Sequence, residues 1–355
     1  MKVDYILGSL DLPMYGALRY VKETYNIIKN KLDLKVIEYE KRGFKLPSRI
    51  SYFYDIIFVK KTIREDSIKH FTSQTVAYML NFIKPKKTIV TCYDLIPYFY
   101  INEEKSPIRR IMIKSWVKGL KKADRIIAIS KFTKNEIIRI LDYPEDKIFI
   151  AYPAVDHLRY KVLKKDKEIA KKYNIDSKFF NILYVGNEEA RMNVETIIHA
   201  VKNLKDKKIK FIKLGNPNSA GRRENLIKLI KNLGIEEKVI FTDYVEEKDM
   251  PQIYNLVDLF IYPVSYAGFG LPPLEAMACG CPVITSNCSS LPEVVGDAAI
   301  KINPTDIDKL TNAILKIFNS KKLKADLSKR GIKQSKKFTW ENCFKQILNG
   351  YKSLE

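Results

Sequence analysis

Residues 257–285 read VDLFIYPVSYAGFGLPPLEAMACGCPVIT and combine two strand-like runs with a glycine loop and a helix. The run 257–263 is short, apolar and closed by proline, which is typical of a buried strand. Gly268 and Gly270 permit a tight turn and a close approach of the backbone to a ligand. The prolines that follow suit the first turn of a helix, and this places Glu275 inside that turn. The stretch predicts a βαβ unit whose helix N-terminus holds an anion, typically a phosphate, with Glu275 near a neighbouring hydroxyl group.

The same alternation of strands and helices continues over the whole chain. Helical patterns cover 16–31, 107–122 and 131–142, among others. Apolar runs predict strands at 3–8, 34–39, 54–59, 88–93, 125–130, 147–152, 181–186, 209–215, 238–244, 257–263, 281–286 and 298–302. Two successive sets of alternating strands and helices favour two doubly wound parallel sheets of the α/β class. We therefore expect an N-terminal domain at 1–160, a second domain at 161–338, and an amphipathic helix at 339–355 that packs back toward the N-terminal domain.

The segment GFGLPPLEAMACGCPVI, from Gly268 to Ile284, resembles the nucleotide-sugar-binding motif of the retaining glycosyltransferases of family 4, the group 1 glycosyl transferases. In that family two acidic residues, separated by seven others, bracket the glycine loop. Here Glu275 keeps the second acidic position, and Ala267 stands at the first. The resemblance extends over essentially the whole chain. It implies the GT-B fold, in which two Rossmann-like doubly wound parallel-sheet domains face a central cleft.

The resemblance also assigns roles to the residues of this motif. It implies that Glu275 holds the ribose hydroxyls of the donor and counts among the catalytic residues. It further implies that the backbone of the glycine loop contacts the donor phosphates, through Gly268, Phe269, Gly270 and Leu271.

Further donor-binding candidates lie in the second domain. The segment YVGNEEARMNVETIIHAV, at 184–201, is similar to a second family motif, in which a basic pair grips the donor diphosphate. Arg191 keeps the first basic place and can contact phosphate through two nitrogens, whereas Met192 stands where lysine is common. Asn187 suits either a phosphate contact or plain turn chemistry.

Three more residues of this domain are candidates for the nucleotide end of the donor. Gly215 ends a strand near the expected cleft. Tyr244 and Val245 lie in the segment 241–250, which resembles the family segment that contacts the nucleotide base. An aromatic side chain at a strand end also suits packing.

The first domain departs further from the family pattern. Gly16 keeps one place of a glycine pair that opens a helix toward the diphosphate. TCYDLIP, at 91–97, has Tyr93 and Asp94 where the family usually has His-Asp. A phenol can hydrogen-bond to a sugar but cannot carry a proton near neutral pH as imidazole does. Asp94 is the polar candidate for catalysis in this domain, with capping of a turn as the alternative.

The segment 123–138 is also similar to the family. Ser130 and Lys131 follow a predicted strand, and they are candidates for contacting the acceptor or a phosphate. Thr133 and Glu136 predict a capping box at the start of the next helix.

The net charge of +22 indicates a possible anionic partner. It is concentrated at residues 84–134, which hold 13 Lys and Arg against four acidic residues. The helix 107–122 is basic and places apolar Ile108, Ile111 and Met112 on one side. It suits either an anionic membrane surface or an outer helix with a solvated basic face. No nucleic-acid-binding module accompanies the charge, so we do not expect nucleic acid as a partner.

The cysteine and histidine content does not favour a metal site. Five cysteines and three histidines form no set with the spacing of a zinc site, and we interpret Cys279 and Cys281 as packing residues. We expect no metal and no cofactor beyond a nucleotide-sugar co-substrate. No apolar run reaches the ~20 residues of a spanning helix, and the chain opens directly on a strand. We therefore expect a cytoplasmic protein that can sit peripherally at the inner face of a membrane.

Together these features predict a retaining, metal-independent glycosyltransferase. It would move a hexose-type sugar from a nucleotide-diphosphate sugar to a glycan or to a polyprenyl- or other lipid-linked acceptor. The altered positions Tyr93, Met192 and Ala267 indicate either an unusual donor or weakened catalysis. Two alternatives therefore stay open: a nucleotide-sugar-binding protein with little transfer activity, and a nucleotide-sugar epimerase on the same fold.

Overall fold

A computed structural model describes residues 1–8, 16–39, 48–217, 221–243 and 245–355, with the backbone alone for 48–50. These residues divide into two compact units. The first contains Met1–Pro153 and Trp340–Glu355, and the second contains Ala154–Thr339. Residues 154–160 thus belong to the second unit, whereas the sequence placed them in the first. None of the described helices is both long and apolar enough to cross a membrane.

The first unit is built on a six-stranded parallel sheet of order β2-β1-β3-β4-β5-β6. Its strands are β1 (Lys2–Leu7), β2 (Asp33–Glu38), β3 (Ile68–Phe71), β4 (Thr88–Cys92), β5 (Arg125–Ala128) and β6 (Ile148–Ile150). Its helices before the second unit are α1 (Gly16–Ile28), α2 (Ser48–Thr62), α3 (Ile96–Phe99), α4 (Pro107–Leu120) and α5 (Lys131–Leu141). The strand order reverses between β1 and β3, which makes that pair the switch point of the sheet.

One strand of this sheet differs from the prediction. Residues 54–59 lie in α2, where Ile56 and Val59 occupy the buried core at helical spacing. The third strand is Ile68–Phe71 instead. Its polar residues concealed it, because Lys69 and His70 are both buried. Lys69 Nζ donates to the carbonyls of Glu65 and Ser67 at 2.8 and 2.7 Å.

The second unit repeats the architecture with a parallel sheet of order β12-β11-β10-β7-β8-β9. The strands are β7 (Phe180–Val185), β8 (Ile209–Leu214), β9 (Val239–Thr242), β10 (Leu259–Tyr262), β11 (Val283–Ser286) and β12 (Ile300–Ile302). The helices are α6 (Lys167–Lys172), α7 (Val194–Asn203), α8 (Arg222–Asn232), α9 (Met250–Leu256), α10 (Leu271–Ala278), α11 (Leu291–Val295), α12 (Ile307–Asn319) and α13 (Lys321–Ser335). The switch point here lies between β7 and β10, where doubly wound sheets bind their ligands.

The last helix, α14 (Trp340–Lys352), packs on the first unit. The Tyr351 hydroxyl lies 2.6 Å from Nδ1 of His70, and the other ring nitrogen of His70 lies 2.8 Å from Oγ1 of Thr91. Cys343 Sγ donates to the Tyr20 hydroxyl at 3.6 Å. The C-terminal helix is therefore joined by buried polar contacts to the centre of the first sheet.

Candidate functional site

Two loops meet at the switch point of the second sheet, one after β7 and one after β10. Arg191, on the β7 loop, donates from Nη1 to the carbonyl of Tyr266 at 2.9 Å, and its own carbonyl accepts from the Ser265 N–H at 2.8 Å. Asn193 donates from Nδ2 to the carbonyl of Pro263 and to the Ser265 hydroxyl, both at 2.7 Å. The structure thus brings together two segments that the sequence singled out separately.

The charge of Arg191 is already balanced in part. Its Nε and Nη2 each lie 2.8 Å from Oε2 of Glu189, and its side chain is 17% exposed. Asn187 Nδ2 donates to Glu189 at 3.2 Å, and the Glu189 N–H donates back to Asn187. Asn187 thus makes the turn contacts that the sequence gave as one alternative, and a phosphate contact stays a prediction. Met192, at the place where the resemblance implies a second basic residue, is buried and neutral.

Glu275 lies in α10, directly beyond the glycine loop. It is the fifth residue of a helix that begins at Leu271, and it therefore lies beyond the first turn. The sequence analysis had placed it inside that turn. It is 5% exposed and accepts a hydrogen bond from the Tyr254 hydroxyl at 3.0 Å. Burial and the neighbouring Glu275 carboxylate raise the pKa of Tyr254 well above its usual range. The phenol consequently stays protonated and keeps donating, which holds the Glu275 carboxylate in one orientation.

The glycine loop itself is held by two serines that the sequence analysis did not identify. The Ala267 N–H donates to the Ser289 hydroxyl at 3.2 Å. The buried Ser290 hydroxyl donates toward the carbonyls of Ala267 and Phe269, at 2.8 and 2.7 Å. Gly270 adopts φ +110°, and a Cβ there would lie 2.6 Å from a methyl group of Leu291. Ser289 and Ser290 lie in the segment between β11 and α11, and no local sequence pattern pointed to these contacts.

The ends of β7 and β8 approach each other closely. Gly215 has φ +111°, and a Cβ at this position would lie 2.7 Å from the carbonyl oxygen of Gly186. Beside it, Glu188 and Lys213 form an ion pair of 2.6 Å with both side chains fully buried, and Arg223 contacts the same carboxylate oxygen at 2.5 Å. Burial lowers the pKa of Lys213, and the Glu188 carboxylate opposes that shift. This cluster, also missed in the sequence, anchors the start of the β7 loop.

The residues proposed to read the base are only partly described. Tyr244 lies outside the described residues, and Val245 is half-buried. The neighbouring Asp243 carboxylate is 66% exposed and pairs with Arg223 at 2.7 Å. Gly215, Val245 and Asp243 therefore all belong to the β8–β9 side of the sheet.

In the first unit, Tyr93 and Asp94 follow β4 as expected, but the Tyr93 phenol is turned inward. Its hydroxyl donates to the carbonyl of Thr72 at 2.7 Å, and the side chain is 7% exposed. The structure therefore does not support a sugar contact by the Tyr93 hydroxyl. Asp94 accepts from the Ile96 N–H at 3.0 Å, and its carbonyl accepts from Nε2 of Gln74 at 3.1 Å. Asp94 thus caps the turn into α3, and it stays a candidate as a partly buried carboxylate.

Ser130 corrects a second expectation. It is the N-cap of α5: its hydroxyl accepts from the Thr133 N–H at 2.9 Å and is fully buried. The predicted capping box therefore begins three residues too late, and Ser130 serves the helix instead of an acceptor. Lys131 is the exposed first residue of α5, and Gly16 is the exposed first residue of α1.

The described residues contain no group of three or more His, Cys, Asp or Glu side chains placed to hold a metal ion. The described cysteine thiols are all free, and burial raises the pKa of Cys279 and Cys281 above the usual thiol range. These two thiols accordingly pack as neutral groups.

Comparison with known proteins gives consistent results over both units. The family model described as glycosyl transferases group 1 matches residues 165–334, and the model of glycosyltransferase family 4 matches residues 33–159. O-antigen chain mannosyltransferase B of Escherichia coli is 32% identical over 280 residues, which are 77% of this chain and 73% of that protein. The serotype-specific mannosyltransferase WbdA of Escherichia coli is 31% identical over 80% of this chain. The chain spans only 36% of the length of WbdA.

Solved structures agree on the fold. Sucrose-phosphate synthase from Thermosynechococcus elongatus superposes with a TM-score of 0.80 at 18% identity, covering 99% of this chain and 98% of that one. Anabaena HepE, in complex with UDP and glucose, gives a TM-score of 0.78 at 16% identity over 99% of this chain and all of that chain. The predicted GT-B fold is confirmed, and the chain belongs to the group 1 glycosyl transferases.

Proposed function

We propose that this protein is a retaining glycosyltransferase that moves a hexose-type sugar from a nucleotide-diphosphate sugar to a glycan or lipid-linked acceptor. The observation that carries the proposal is the Arg191–Tyr266 hydrogen bond of 2.9 Å. It sets a guanidinium beside the glycine loop and the N-terminus of α10, at the switch point of a doubly wound sheet. A diphosphate placed there would meet a cation, backbone N–H groups and a helix dipole.

Each end of the donor has candidate partners around this point. Arg191, Asn187 and the loop Gly268–Leu271 would hold the diphosphate. Glu275, oriented by Tyr254, would accept hydrogen bonds from the ribose hydroxyls. Gly215, Tyr244 and Val245 would lie along the base. The complex of Anabaena HepE with UDP and glucose supports a nucleotide sugar as the ligand class.

The reaction requires stabilisation of the negative charge that develops on the leaving diphosphate. The bond from the anomeric carbon to the diphosphate oxygen breaks, and the bond from the acceptor oxygen forms on the same face of the sugar. The acceptor proton passes to the departing phosphate oxygen, so that the products are a glycoside and a nucleoside diphosphate. Arg191 and the N-terminus of α10 would stabilise the negative charge that develops on the diphosphate. Asp94 would orient the acceptor hydroxyl.

The proposal includes independence from metal ions and from any further cofactor. Arg191 and the backbone donors of the glycine loop would then balance the diphosphate charge without a cation from solution. Incubation with EDTA should leave transfer unchanged. A loss of activity that Mn²⁺ restores would contradict this part of the proposal.

The names of two relatives support the proposed class of acceptor. The name of mannosyltransferase B refers to an O-antigen chain, and WbdA is named as a mannosyltransferase. A growing glycan, free or attached to a lipid, is the acceptor that these names support. A cytoplasmic location at the inner face of a membrane is part of the same proposal.

The proposal is tested by incubating the full chain with a panel of UDP- and GDP-sugars and measuring free nucleotide. We expect release from one donor to rise when an oligosaccharide acceptor is added, and the product linkage to keep the anomeric configuration of the donor. Tight binding of a nucleotide sugar without release would identify a binding protein instead. Conversion of the donor sugar to its epimer without transfer would identify an epimerase.

A further inference from the structure

The turn after β4 is bound by a buried amide from the segment that follows β3. Gln74 is the first residue of a short 3-10 helix, Gln74–Asn81, and it is 5% exposed. Its Oε1 accepts from the Tyr93 N–H at 3.1 Å, and its Nε2 donates to the Asp94 carbonyl at 3.1 Å. One side chain thus binds the main chain of two successive residues, one through its acceptor and the other through its donor.

Two further contacts restrict the same turn. The Tyr93 hydroxyl donates to the Thr72 carbonyl at 2.7 Å, which adds a third hydrogen bond between the segments after β3 and β4. Burial raises the pKa of Tyr93 well above its usual range, so the phenol stays a donor. The Thr133 hydroxyl of α5 donates to the Tyr93 carbonyl at 3.3 Å. The main chain of this turn is therefore bound to side chains of two other elements.

The direction of the Asp94 carboxylate depends on this main chain. Its Oδ1 accepts from the Ile96 N–H at 3.0 Å, which fixes the side chain relative to its own backbone. The Gln74 amide then fixes that backbone relative to the segment after β3. A carboxylate that orients a reacting hydroxyl needs such support, because a displacement of about 1 Å can cost about a hundredfold in rate.

We propose that Gln74 is a positioning residue, which sets the direction of the Asp94 carboxylate through the main chain of Tyr93 and Asp94. The inference rests on the proposed function, in which Asp94 orients the acceptor hydroxyl. The competing role is purely structural, with Gln74 providing partners for two buried main-chain groups and nothing more. The two roles differ in how a substitution of Gln74 combines with one of Asp94.

The experiment is a double-mutant cycle on the full chain with Gln74→Leu, Asp94→Asn and the double variant. The kcat of nucleotide release is measured with saturating acceptor and the UDP- or GDP-sugar that supports transfer. We expect Gln74→Leu to lower kcat by about tenfold to a hundredfold. In the Asp94→Asn background the same substitution should change kcat by less than about threefold, because the carboxylate that Gln74 positions is already absent. The Kd of nucleoside diphosphate, whose proposed site lies in the second unit, should not change.

Asn81→Leu is the matched control, because Asn81 is an amide residue at the other end of the same 3-10 helix. Its Nδ2 donates to the Ser115 carbonyl at 2.7 Å, so the substitution also removes a hydrogen bond from an amide to the main chain. It should lower the thermal stability of the first unit and leave kcat unchanged. If Gln74→Leu does not fold, Gln74→Asn takes its place in the cycle. That side chain keeps the amide but is one methylene too short to reach both groups.

The outcomes separate the two roles of Gln74. An equal loss of kcat in both backgrounds of the cycle overturns the proposal, and so does full activity in Asp94→Asn. A loss in Asn81→Leu as large as that in Gln74→Leu also overturns it, because reduced stability would then explain both. A wild-type protein that transfers no sugar would refute the proposed function together with this inference. Additive losses in an active protein would refute this inference alone.

Discussion

The Arg191 guanidinium donates to the Tyr266 carbonyl at 2.9 Å while two of its nitrogens contact the Glu189 carboxylate, both at 2.8 Å. One side chain thus ties the loop after β7 to the glycine loop after β10 and already has an anionic partner. An incoming diphosphate would compete with Glu189 for the same guanidinium edge.

Arg191→Ala should weaken the binding of nucleoside diphosphate by about 1.5–3 kcal/mol, the range for a hydrogen bond to a charged group. That loss is about tenfold to a hundredfold in Kd. The free nucleoside should bind almost as before, because it carries no phosphate. Titration calorimetry with both ligands measures the difference. Equal losses for the two ligands would show that Arg191 acts only by holding Tyr266.

Glu189→Gln is the companion to this test and should act in the opposite direction. It removes the negative charge that competes with phosphate, yet it keeps the size of the side chain. Since Glu189 is 37% exposed, the gain in affinity for nucleoside diphosphate should be modest, about 0.5–1 kcal/mol. A decrease in affinity would contradict a phosphate-binding role for Arg191.

Glu275→Ala should abolish transfer and weaken nucleotide binding, because the carboxylate proposed to hold the ribose is lost. Tyr254→Phe should have a smaller effect of the same kind. It removes the hydroxyl that holds the Glu275 carboxylate at 3.0 Å but leaves the carboxylate in place. The measurements are nucleotide Kd and the rate of nucleotide release for both variants. Unchanged nucleotide affinity in Glu275→Ala would reject the ribose role.

Much of the architecture was predictable because strand and helix patterns follow from burial. Parallel strands covered on both faces read as apolar runs, and the glycine loop with its two prolines marks the start of α10. The exceptions have physical causes. β3 contains Lys69 and His70, which are buried because they find polar partners within the fold. The apolar run 54–59 is short enough to fit the period of a strand or that of a helix. Only the positions of Ile56 and Val59 in the core reveal a helix.

The candidate site was predictable where a motif lies within one segment and hidden where distant segments meet. Glu275 and the glycine loop belong to one stretch. The support from Ser289, Ser290 and Tyr254 depends on tertiary contacts that no local pattern records. Tyr93 and Ser130 were predicted to contact the acceptor, but in the structure their hydroxyl groups are bound within the first unit. Each hydroxyl has a buried partner nearby, the Thr72 carbonyl for Tyr93 and the Thr133 N–H for Ser130.

Ser289 offers a test of how the glycine loop is held. It adopts φ +56°, in the left-handed region that favours glycine, and its hydroxyl accepts from the Ala267 N–H. Ser289→Gly and Ser289→Ala both remove that acceptor, and both should lower the transfer rate. Only the glycine variant relieves the backbone strain, so it should be more stable than the alanine variant by about 1 kcal/mol. If the transfer rate falls only in the less stable variant, and not in both variants that lack the hydroxyl, then Ser289 has no role in positioning the loop.

The burial of His70 leads us to expect that the stability of the first unit depends on pH. Burial lowers the pKa of His70 to about 3, whereas histidine in an unfolded chain titrates near 6.5. The unfolded state therefore binds more protons between these values, and stability falls as the pH drops below about 6.5. Near pH 5 the loss should reach about 2 kcal/mol relative to pH 7.

The measurement is denaturation followed by tryptophan fluorescence, because both tryptophans, Trp116 and Trp340, belong to the first unit. His70→Gln is the control. It should be less stable at pH 7, because the contacts to Thr91 and Tyr351 change, but it should lose this part of the pH dependence. Parallel curves for the two proteins between pH 5 and 7 would contradict the assignment to His70.

Ala267→Glu separates an enzyme with an unusual donor from a weakened relative. The resemblance gives the acidic residue at this place a contact with the donor sugar, so alanine removes an acceptor there and leaves the diphosphate region intact. Ala267 is 6% exposed, and Ser289 and Ser290 bind both its backbone polar groups. In an enzyme adapted to its own donor, the new carboxylate would be crowded or buried without a partner, and transfer should fall. We expect this outcome because the surrounding loop is otherwise complete.

Ala267→Gln separates the two causes of such a fall, since it has the same size without the charge. Loss in both variants indicates crowding, and loss only in the glutamate variant indicates the buried charge. If the protein is instead a weakened relative, the glutamate restores the missing contact. Transfer from a common UDP- or GDP-sugar would then rise in Ala267→Glu and not in Ala267→Gln. That rise, measured as nucleotide release, would show that the altered position weakens catalysis instead of selecting a different sugar.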